Sequence, residues 1–181
     1  MNDKDLIEAI KKDPKQFGAI YDAHYSTIFN YCFKRTQDFN TSKDIVSETF
    51  LKAFLNIGRF SWKGISIKSW LYKIATNEVN LHYRSKTYHP RLLNDIGAKL
   101  SATTKSMEDE KIMAEKELEK HEQFLKVQKV LYQLPVKYQD VISLKYFEKL
   151  KIKEISAILG KPEGTVKSIL SRGLNMLKDK L

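Results

Sequence analysis

The stretch IKEISAILGKPEGTVKSILS, residues 152–171, decides the fold of the C-terminal part of the chain. Gly160 tolerates the left-handed conformation that ends a helix, and Pro162 fits the first turn of a new one. Ser156 is small where a second helix must approach. Apolar residues recur at helical spacing on both sides of the turn: Ile155, Ile158, Val166 and Ile169. This spacing is typical of a helix-turn-helix, whose second helix enters the DNA major groove.

The second helix of this motif carries short polar side chains and cations on its outer side. Short polar groups suit the reading of base edges, and cations suit the clamping of phosphates. Residues 149–181 hold eight basic residues against three acidic ones. The alternative interpretation is an ordinary helical hairpin with solvated lysines. The residues predicted to contact duplex DNA are Lys161, Thr165, Lys167, Ser168, Ser171 and Arg172.

The composition of the whole chain points to an anionic partner. Its 181 residues carry a formal net charge of +10, which suits nucleic acid or an acidic membrane surface, although a merely basic protein is the alternative. The single cysteine, Cys32, excludes an internal disulfide and fits a reducing compartment. The N-terminus lacks the apolar core of a signal peptide, and no run approaches the roughly 20 apolar residues of a membrane helix. We therefore expect a soluble, cytoplasmic protein.

Helical periodicity also organises the N-terminal half. Asp13 and Pro14 predict the start of a long first helix. Thr41 and Asp44 resemble a capping box at the start of a second amphipathic helix, which we expect Gly58 to end. The apolar stripe of this second helix is expected in the core and comprises Ile45, Val46, Phe50 and Phe54.

A loop with two aromatic and two basic residues, RFSWKG at residues 59–64, precedes a third helix. We predict this helix from residues 66–69 to Lys86, with Trp70 in the core. One face of it carries cations and amides three to four residues apart: Lys73, Asn77, Asn80 and Arg84. Residues 59–91 hold seven basic residues and one acidic residue. With the basic C-terminal segment, this predicts two anion-binding surfaces, separated by the acidic residues 108–122.

The remaining segments complete an all-α prediction. Residues 87–107 contain Pro90 and Gly97 and lack sustained periodicity, which indicates a linker. Residues 108–134 contain no Gly or Pro and predict a helix that enters a second domain, and Pro135 restarts the chain. No strand-like alternation bounded by hairpin turns occurs in the sequence.

Two regions of the chain resemble, in the family's order, regions of bacterial sigma factors of the extracytoplasmic-function group of the sigma-70 family. Residues 134–178, LPVKYQDVISLKYFEKLKIKEISAILGKPEGTVKSILSRGLNMLK, are similar to their C-terminal promoter-binding region. DIVSETFLKAF from Asp44 and SWLYKIATNEVNLHYR ending at Arg84 are similar to their N-terminal core domain. The resemblance implies an alternative sigma factor that binds core RNA polymerase and directs promoter recognition.

The resemblance also implies a division of the chain and of its sites. Residues 1–88 would form the domain for core polymerase and the minus-ten element, 89–110 the linker, and 111–181 the helix-turn-helix domain for the minus-thirty-five element. The helix from Asp44 would dock on the polymerase through Asp44, Ser47, Glu48 and Lys52. The loop and third helix would open the minus-ten element and hold its single strand by stacking and charge. The residues implied there are Phe60, Ser61, Trp62, Lys63, Lys73, Asn77, Asn80 and Arg84.

Partners and competing functions follow from the same features. The family implies promoter DNA, as duplex and as single strand, and an anti-sigma factor as partners. A stand-alone helix-turn-helix repressor or activator is the alternative, although it would not need the aromatic, cationic loop. Catalysis is not expected, because Cys32 lacks a nucleophile setting and no phosphate-binding glycine loop occurs. No metal or cofactor is expected, because the histidines lack ligand spacing: His24, His82, His89 and His121.

Overall fold

The computed structural model describes residues 3–60, 65–86 and 122–181. The α-helices in these residues are α1 (Asp3–Lys12), α2 (Gly18–Thr36), α3 (Phe39–Asn56), α4 (Ile67–Lys86), α5 (Glu122–Leu131), α6 (Val136–Ile142), α7 (Ile152–Leu159) and α8 (Glu163–Lys178). Short helical turns cover Pro14–Phe17, Ile57–Arg59 and Ser143–Phe147. The described part of the chain contains no strand, so the all-α prediction is confirmed.

Helices α2, α3 and α4 pack together as the N-terminal bundle, with α1 beside them. Val46 of α3, Ile28 of α2 and Leu71 of α4 are fully buried at its centre. The predicted core positions Ile45, Val46 and Phe50 are confirmed, but Phe54 is 41% exposed. Phe54 lies near the end of α3, where its ring makes a T-shaped contact with Phe17 at a centroid distance of 5.3 Å. The core prediction for Phe54 was therefore wrong.

The start of α3 differs from the predicted capping box. The chain becomes helical at Phe39, and Asp38 in the extended conformation is the cap. Its Oδ1 accepts a hydrogen bond of 2.7 Å from the backbone N–H of Thr41. Thr41 already lies inside the helix, so its hydroxyl cannot act as the cap. Asp13, by contrast, caps a 3₁₀ turn over Pro14–Phe17, and α2 follows from Gly18.

Helices α5 to α8 form the C-terminal group, in which α6 crosses α8 closely. Gly173 of α8 is buried at this crossing. A Cβ atom at this position would lie 3.0 Å from Ile142 Cδ1 and 3.2 Å from Tyr138 Cβ. Hydrogen at this position is therefore what allows α6 and α8 to approach. The surrounding small core contains Leu131, Leu134, Tyr138, Ile142 and Leu177.

The predicted helix-turn-helix is present as α7, the turn and α8. Gly160 ends α7 in the left-handed conformation, with φ of 62°, and its N–H bonds back to the Ser156 carbonyl. The Ser156 hydroxyl donates to the Lys161 carbonyl at 2.5 Å, so this small residue closes the turn. Ile155, Ile158 and Val166 are buried.

The two groups of helices pack directly on each other. Helix α4 lies against α7. Buried residues of both groups, including Leu71 and Val79 of α4 and Val141 and Ile155 of the C-terminal group, belong to one apolar cluster. The two groups of helices therefore share one apolar cluster, and the smaller core around Gly173 is linked to it by Ile169 and Leu170, which pack against both.

Candidate nucleic-acid interface

Helix α8 presents the predicted duplex-binding side chains to solvent. Val166 anchors the start of the helix in the core, and the neighbouring positions face outward. All six predicted residues are exposed: Lys161, Thr165, Lys167, Ser168, Ser171 and Arg172. Thr165, Ser168 and Arg172 follow one another by three and four positions and so share one face. The structure brings the short polar groups and the cations of the prediction together on one exposed surface.

The cations of this surface are available for phosphates. Lys161, Lys167 and Arg172 form no ion pair with another described residue. Glu163 in the first turn of α8 is the acidic group of this helix start. The hydroxyl of Ser168 donates to the Gly164 carbonyl at 3.0 Å, which leaves its oxygen able to accept. The arrangement can contact base edges at the start of α8 and phosphates along its flank.

Of the four loop residues predicted to open the minus-ten element, the structure describes only Phe60. The Phe60 ring packs against Trp70 with a centroid distance of 4.6 Å, and both side chains are half-buried. Lys11 Nζ donates to the Phe60 carbonyl at 3.3 Å. Phe60 thus has a packing role beside its predicted stacking role, and Trp70 is less buried than expected. Ser61, Trp62 and Lys63 lie outside the described residues.

The four predicted strand-binding residues of α4 differ in their exposure to solvent. Lys73, Asn77 and Arg84 are exposed. Asn80 is half-buried, and its Nδ2 donates to Asp140 Oδ2 of α6 at 2.9 Å. The structure therefore leaves three of the four residues open to solvent and engages the fourth in a contact with the C-terminal helices.

The predicted polymerase-binding residues lie on the outer side of α3. Asp44 and Ser47 are exposed, whereas Glu48 and Lys52 are half-buried. Lys52 Nζ lies 2.8 Å from Glu78 Oε2 on α4 and 3.3 Å from Glu48 Oε1. The hydrogen bond to Glu78 raises the pKa of Lys52 above its ordinary value. Lys52 thus also ties α3 to α4.

Two exposed leucines beside this surface were missed by the sequence interpretation. Leu51 is 51% exposed and Leu55 is 67% exposed, four positions apart on α3. Both leucines fall outside the apolar stripe that fills the core. Their position on the helix could therefore have predicted their exposure. Exposed apolar groups next to charged ones are typical of protein-binding surfaces.

A buried polar cluster between α2, α4 and α6 was also missed. Arg35 of α2 is fully buried, and its Nη1 donates to Asp140 Oδ1 at 2.5 Å and to the Tyr31 hydroxyl at 3.3 Å. The hydroxyls of Tyr31 and Thr76 share a hydrogen bond of 2.8 Å. Burial alone lowers the pKa of Arg35, but Tyr31 and Asp140 outweigh it and raise this pKa. No local sequence pattern signals the cluster, because it joins helices far apart in the chain.

A second carboxylate of the C-terminal group reaches the N-terminal bundle nearby. Glu148 accepts a hydrogen bond from the Tyr72 hydroxyl of α4 and lies 3.9 Å from Lys34 Nζ of α2. Burial and the Glu148 charge raise the pKa of Tyr72, so its hydroxyl stays protonated and donates. The two carboxylates, Asp140 and Glu148, therefore both take hydrogen bonds from α4.

The described residues contain no group of three or more His, Cys, Asp or Glu side chains that could hold a metal ion. No helix among them is long and apolar enough to cross a membrane. His89 and His121 lie outside this part of the chain.

Two family models match the chain in succession. The model for sigma-70 region 2 matches residues 20–88, and the model for sigma-70 region 4 matches residues 124–177. The chain is 31% identical to the ECF RNA polymerase sigma factor SigW of Bacillus subtilis (strain 168), over 98% of this chain and 96% of SigW.

Solved structures share the fold. CnrH, solved in complex with the cytosolic domain of CnrY, is 18% identical with a TM-score of 0.69, over 98% of this chain and 95% of CnrH. The sigma factor RpoE of Bartonella quintana, solved with the anti-sigma factor NepR, is 19% identical with a TM-score of 0.64, over 91% of this chain and 96% of RpoE.

Proposed function

The chain belongs to the extracytoplasmic-function group of the sigma-70 family of RNA polymerase sigma factors, and we propose that it divides promoter recognition between two surfaces. It is an alternative sigma factor, which binds core RNA polymerase and directs transcription initiation. The exposed side of α8 reads the minus-thirty-five duplex. The loop after α3 and the exposed residues of α4 open the minus-ten element and hold its single strand. We also propose that the protein acts in the cytoplasm.

The duplex-reading surface is supported by the exposure of all six of its residues around the buried Val166. A helix whose first turns are anchored by Val166 while the neighbouring positions face solvent can lie in a groove without unfolding the domain. Lys167 and Arg172 lie on this surface without ion-pair partners among the described residues. They supply charge for phosphates, and the hydroxyls of Thr165 and Ser168 supply short hydrogen-bonding groups.

The proposed polymerase-docking surface is the outer side of α3. Its charged members Asp44 and Glu48 stand next to the exposed apolar side chains of Leu51 and Leu55. Apolar groups rimmed by charge suit a protein partner better than DNA, because carboxylates repel phosphates. We further propose the domain division 1–88, 89–110 and 111–181.

An anti-sigma factor is the proposed regulator. The RpoE structure contains one, and the same fold in this chain would offer comparable surfaces. A stand-alone repressor is not favoured, because the region 2 match covers residues 20–88 and leaves no separate sensing domain there.

Co-elution with purified bacterial core RNA polymerase tests this function. A sigma factor elutes with the core enzyme on size exclusion and makes it initiate at defined sites on genomic DNA, which sequencing of RNA 5′ ends would locate. A stand-alone repressor elutes separately and changes no start site. That result would contradict the proposal.

A further inference from the structure

Helix α1 lies outside the region that the family model covers, yet it reaches the proposed strand-binding surface. The region 2 model begins at residue 20, whereas α1 spans Asp3–Lys12. Ile7 and Ile10 are buried and anchor this helix on the N-terminal bundle. The helix packs against the Ile57–Arg59 turn, which precedes Phe60. Its polar side chains therefore lie beside the segment that joins α3 to α4.

Asp3 caps α4, although 64 positions separate it from Ile67. Its Oδ2 accepts a hydrogen bond of 2.9 Å from the backbone N–H of Ile67, the first residue of α4. The local cap is Ser66, whose Oγ accepts from the N–H of Ser69 at 3.1 Å. First-turn N–H groups have no partner within their own helix, and a negative charge there is favourable. The start of α4 is thus held in part by a carboxylate of another helix.

Helix α2 meets the same junction through His24. This side chain interacts electrostatically with Asp3 and with Lys68 in the first turn of α4. Burial is the main cause that lowers the pKa of His24, and Lys68 lowers it further while Asp3 raises it. A neutral imidazole does not compete at pH 7 as a cation for the Asp3 carboxylate. The carboxylate therefore remains available to the N–H of Ile67.

Lys11 holds the chain before the loop, as Asp3 holds it after the loop. The Lys11 Nζ donates to the Phe60 carbonyl at 3.3 Å. The Phe60 ring in turn packs against Trp70 of α4 at a centroid distance of 4.6 Å. Phe60 and α4 both carry proposed strand contacts, so one short helix contacts both parts of the proposed strand-binding surface.

We propose that α1 is a positioning element for promoter opening, in which Asp3 and Lys11 fix Phe60 and the start of α4 relative to each other. Neither side chain needs to touch DNA. Residues that are held in place before a strand arrives do not have to be ordered when it binds. The functional effect rests on the proposed strand-binding role of Phe60 and α4, whereas the two hydrogen bonds do not depend on it.

A charge-neutral pair of substitutions tests the proposal. The variant is Asp3→Ala with Lys11→Ala, which removes both contacts. The matched control is Glu8→Ala with Lys12→Ala, because these side chains are exposed on the same helix and the net charge is again unchanged. Asp3→Asn with Lys11→Arg keeps an acceptor and a donor at the two positions and should behave like the wild type. Circular dichroism reports retained helicity.

Hydrogen exchange followed by NMR in the free protein gives the first readout. We expect the Ile67 amide to exchange about tenfold faster in the double-alanine variant, because its hydrogen bond to a carboxylate is lost. The Val79 amide in the middle of α4 should keep its rate, which separates local loosening from general destabilisation. Unchanged exchange at Ile67, or an equal increase at Ile67 and Val79, would overturn the proposal.

Permanganate footprinting with core polymerase gives the second readout, on a promoter found by start-site mapping. We expect the fraction of reactive thymines to fall about fivefold in the double-alanine variant, the equivalent of one net hydrogen bond. Binding to core polymerase and to promoter duplex should stay unchanged, because α8 and the outer side of α3 are untouched. Equal opening by the double-alanine variant and the control would overturn the proposal.

Asp3→Ala alone replaces the double variant if the latter loses helicity. Faster exchange at Ile67 and reduced opening are again expected, and no change in either would be equally decisive. A wild type that opens no promoter would contradict the proposed function. Exchange at Ile67 needs no polymerase and would then decide the capping of α4 by itself.

Discussion

The Arg35 guanidinium and the Asp140 carboxylate meet at 2.5 Å in a buried pair, although 105 positions separate them in the sequence. Arg35 belongs to α2 of the N-terminal bundle, and Asp140 belongs to α6, which crosses α8. Because a buried charge that loses its partner costs several kcal/mol, the pair couples the two groups of helices. Asn80, a proposed promoter contact, donates a hydrogen bond to the other oxygen of the same Asp140 carboxylate.

The buried thiol of Cys32 should react slowly in the folded protein. Cys32 is fully buried in the N-terminal core, and burial raises its pKa well above the ordinary value, so little thiolate forms at pH near 8. We expect labelling by an aromatic disulfide reagent to be slower than for the unfolded chain by orders of magnitude. Measurement of the labelling rate with and without denaturant checks this. Native labelling at the rate of an unfolded thiol would contradict the burial of Cys32.

Replacement of Gly173 by alanine should destabilise the crossing of α6 and α8. The added Cβ would lie 3.0 Å from Ile142 Cδ1 and 3.2 Å from Tyr138 Cβ, so these groups must shift. We expect the free energy of unfolding to fall by about 1–3 kcal/mol, a loss that the higher helix propensity of alanine partly offsets. Gly164→Ala in the same helix is the control, because a Cβ there meets nothing within 4 Å. In denaturant unfolding, Gly173→Ala should be less stable than the wild type and Gly164→Ala more stable. Equal stabilities of the two variants would argue against the close approach of α6 and α8.

Lys167 and Arg172 should contribute phosphate contacts to duplex binding. For Lys167→Ala and for Arg172→Ala we expect weaker binding to a promoter duplex and a salt slope lower by about one unit each. Lys4→Ala is the control, since Lys4 is an exposed lysine on α1 and the charge change is the same. Fluorescence anisotropy over a range of salt concentrations measures both quantities. An unchanged affinity and slope in both variants would remove these residues from the DNA-binding surface.

Charge reversal at Asp44 should abolish binding to core polymerase without unfolding the protein. Asp44 is exposed on α3, so lysine at this position has room and leaves the core intact. Asp22→Lys is the control, because Asp22 is exposed on the neighbouring helix α2. Co-elution with core polymerase should be lost for Asp44→Lys and kept for Asp22→Lys, with equal helicity. Normal co-elution of a folded Asp44→Lys variant would move the docking site elsewhere.

Sequence patterns predicted the parts of this protein that depend on local interactions. The left-handed Gly160, the outward side of α8 and the start of α4 beside Ser66 each follow from neighbours within a few positions. The cap of α3 was misplaced at Thr41, because Asp38, three residues earlier, caps the helix by accepting from the N–H of Thr41 itself. Local rules cannot choose between two such caps without the backbone conformation.

Contacts between distant segments could not be predicted from those local patterns. The half-burial of Asn80 depends on Asp140, and the need for glycine at position 173 depends on Ile142 and Tyr138 of another helix. Phe54 fits the apolar helix pattern, yet its exposure depends on where α2 and α4 pack. Such properties arise only once the helices are assembled.

Permanganate footprinting of promoter DNA tests directly whether the protein opens promoters, because strand opening separates a sigma factor from a stand-alone DNA-binding regulator. Core polymerase, the purified protein and a promoter fragment identified by start-site mapping would be combined, with core polymerase alone as the control. We predict reactive, unpaired thymines around the minus-ten element only when the protein is present. Thymines that stay unreactive in the presence of a bound, folded protein and active core polymerase would contradict its role in promoter opening.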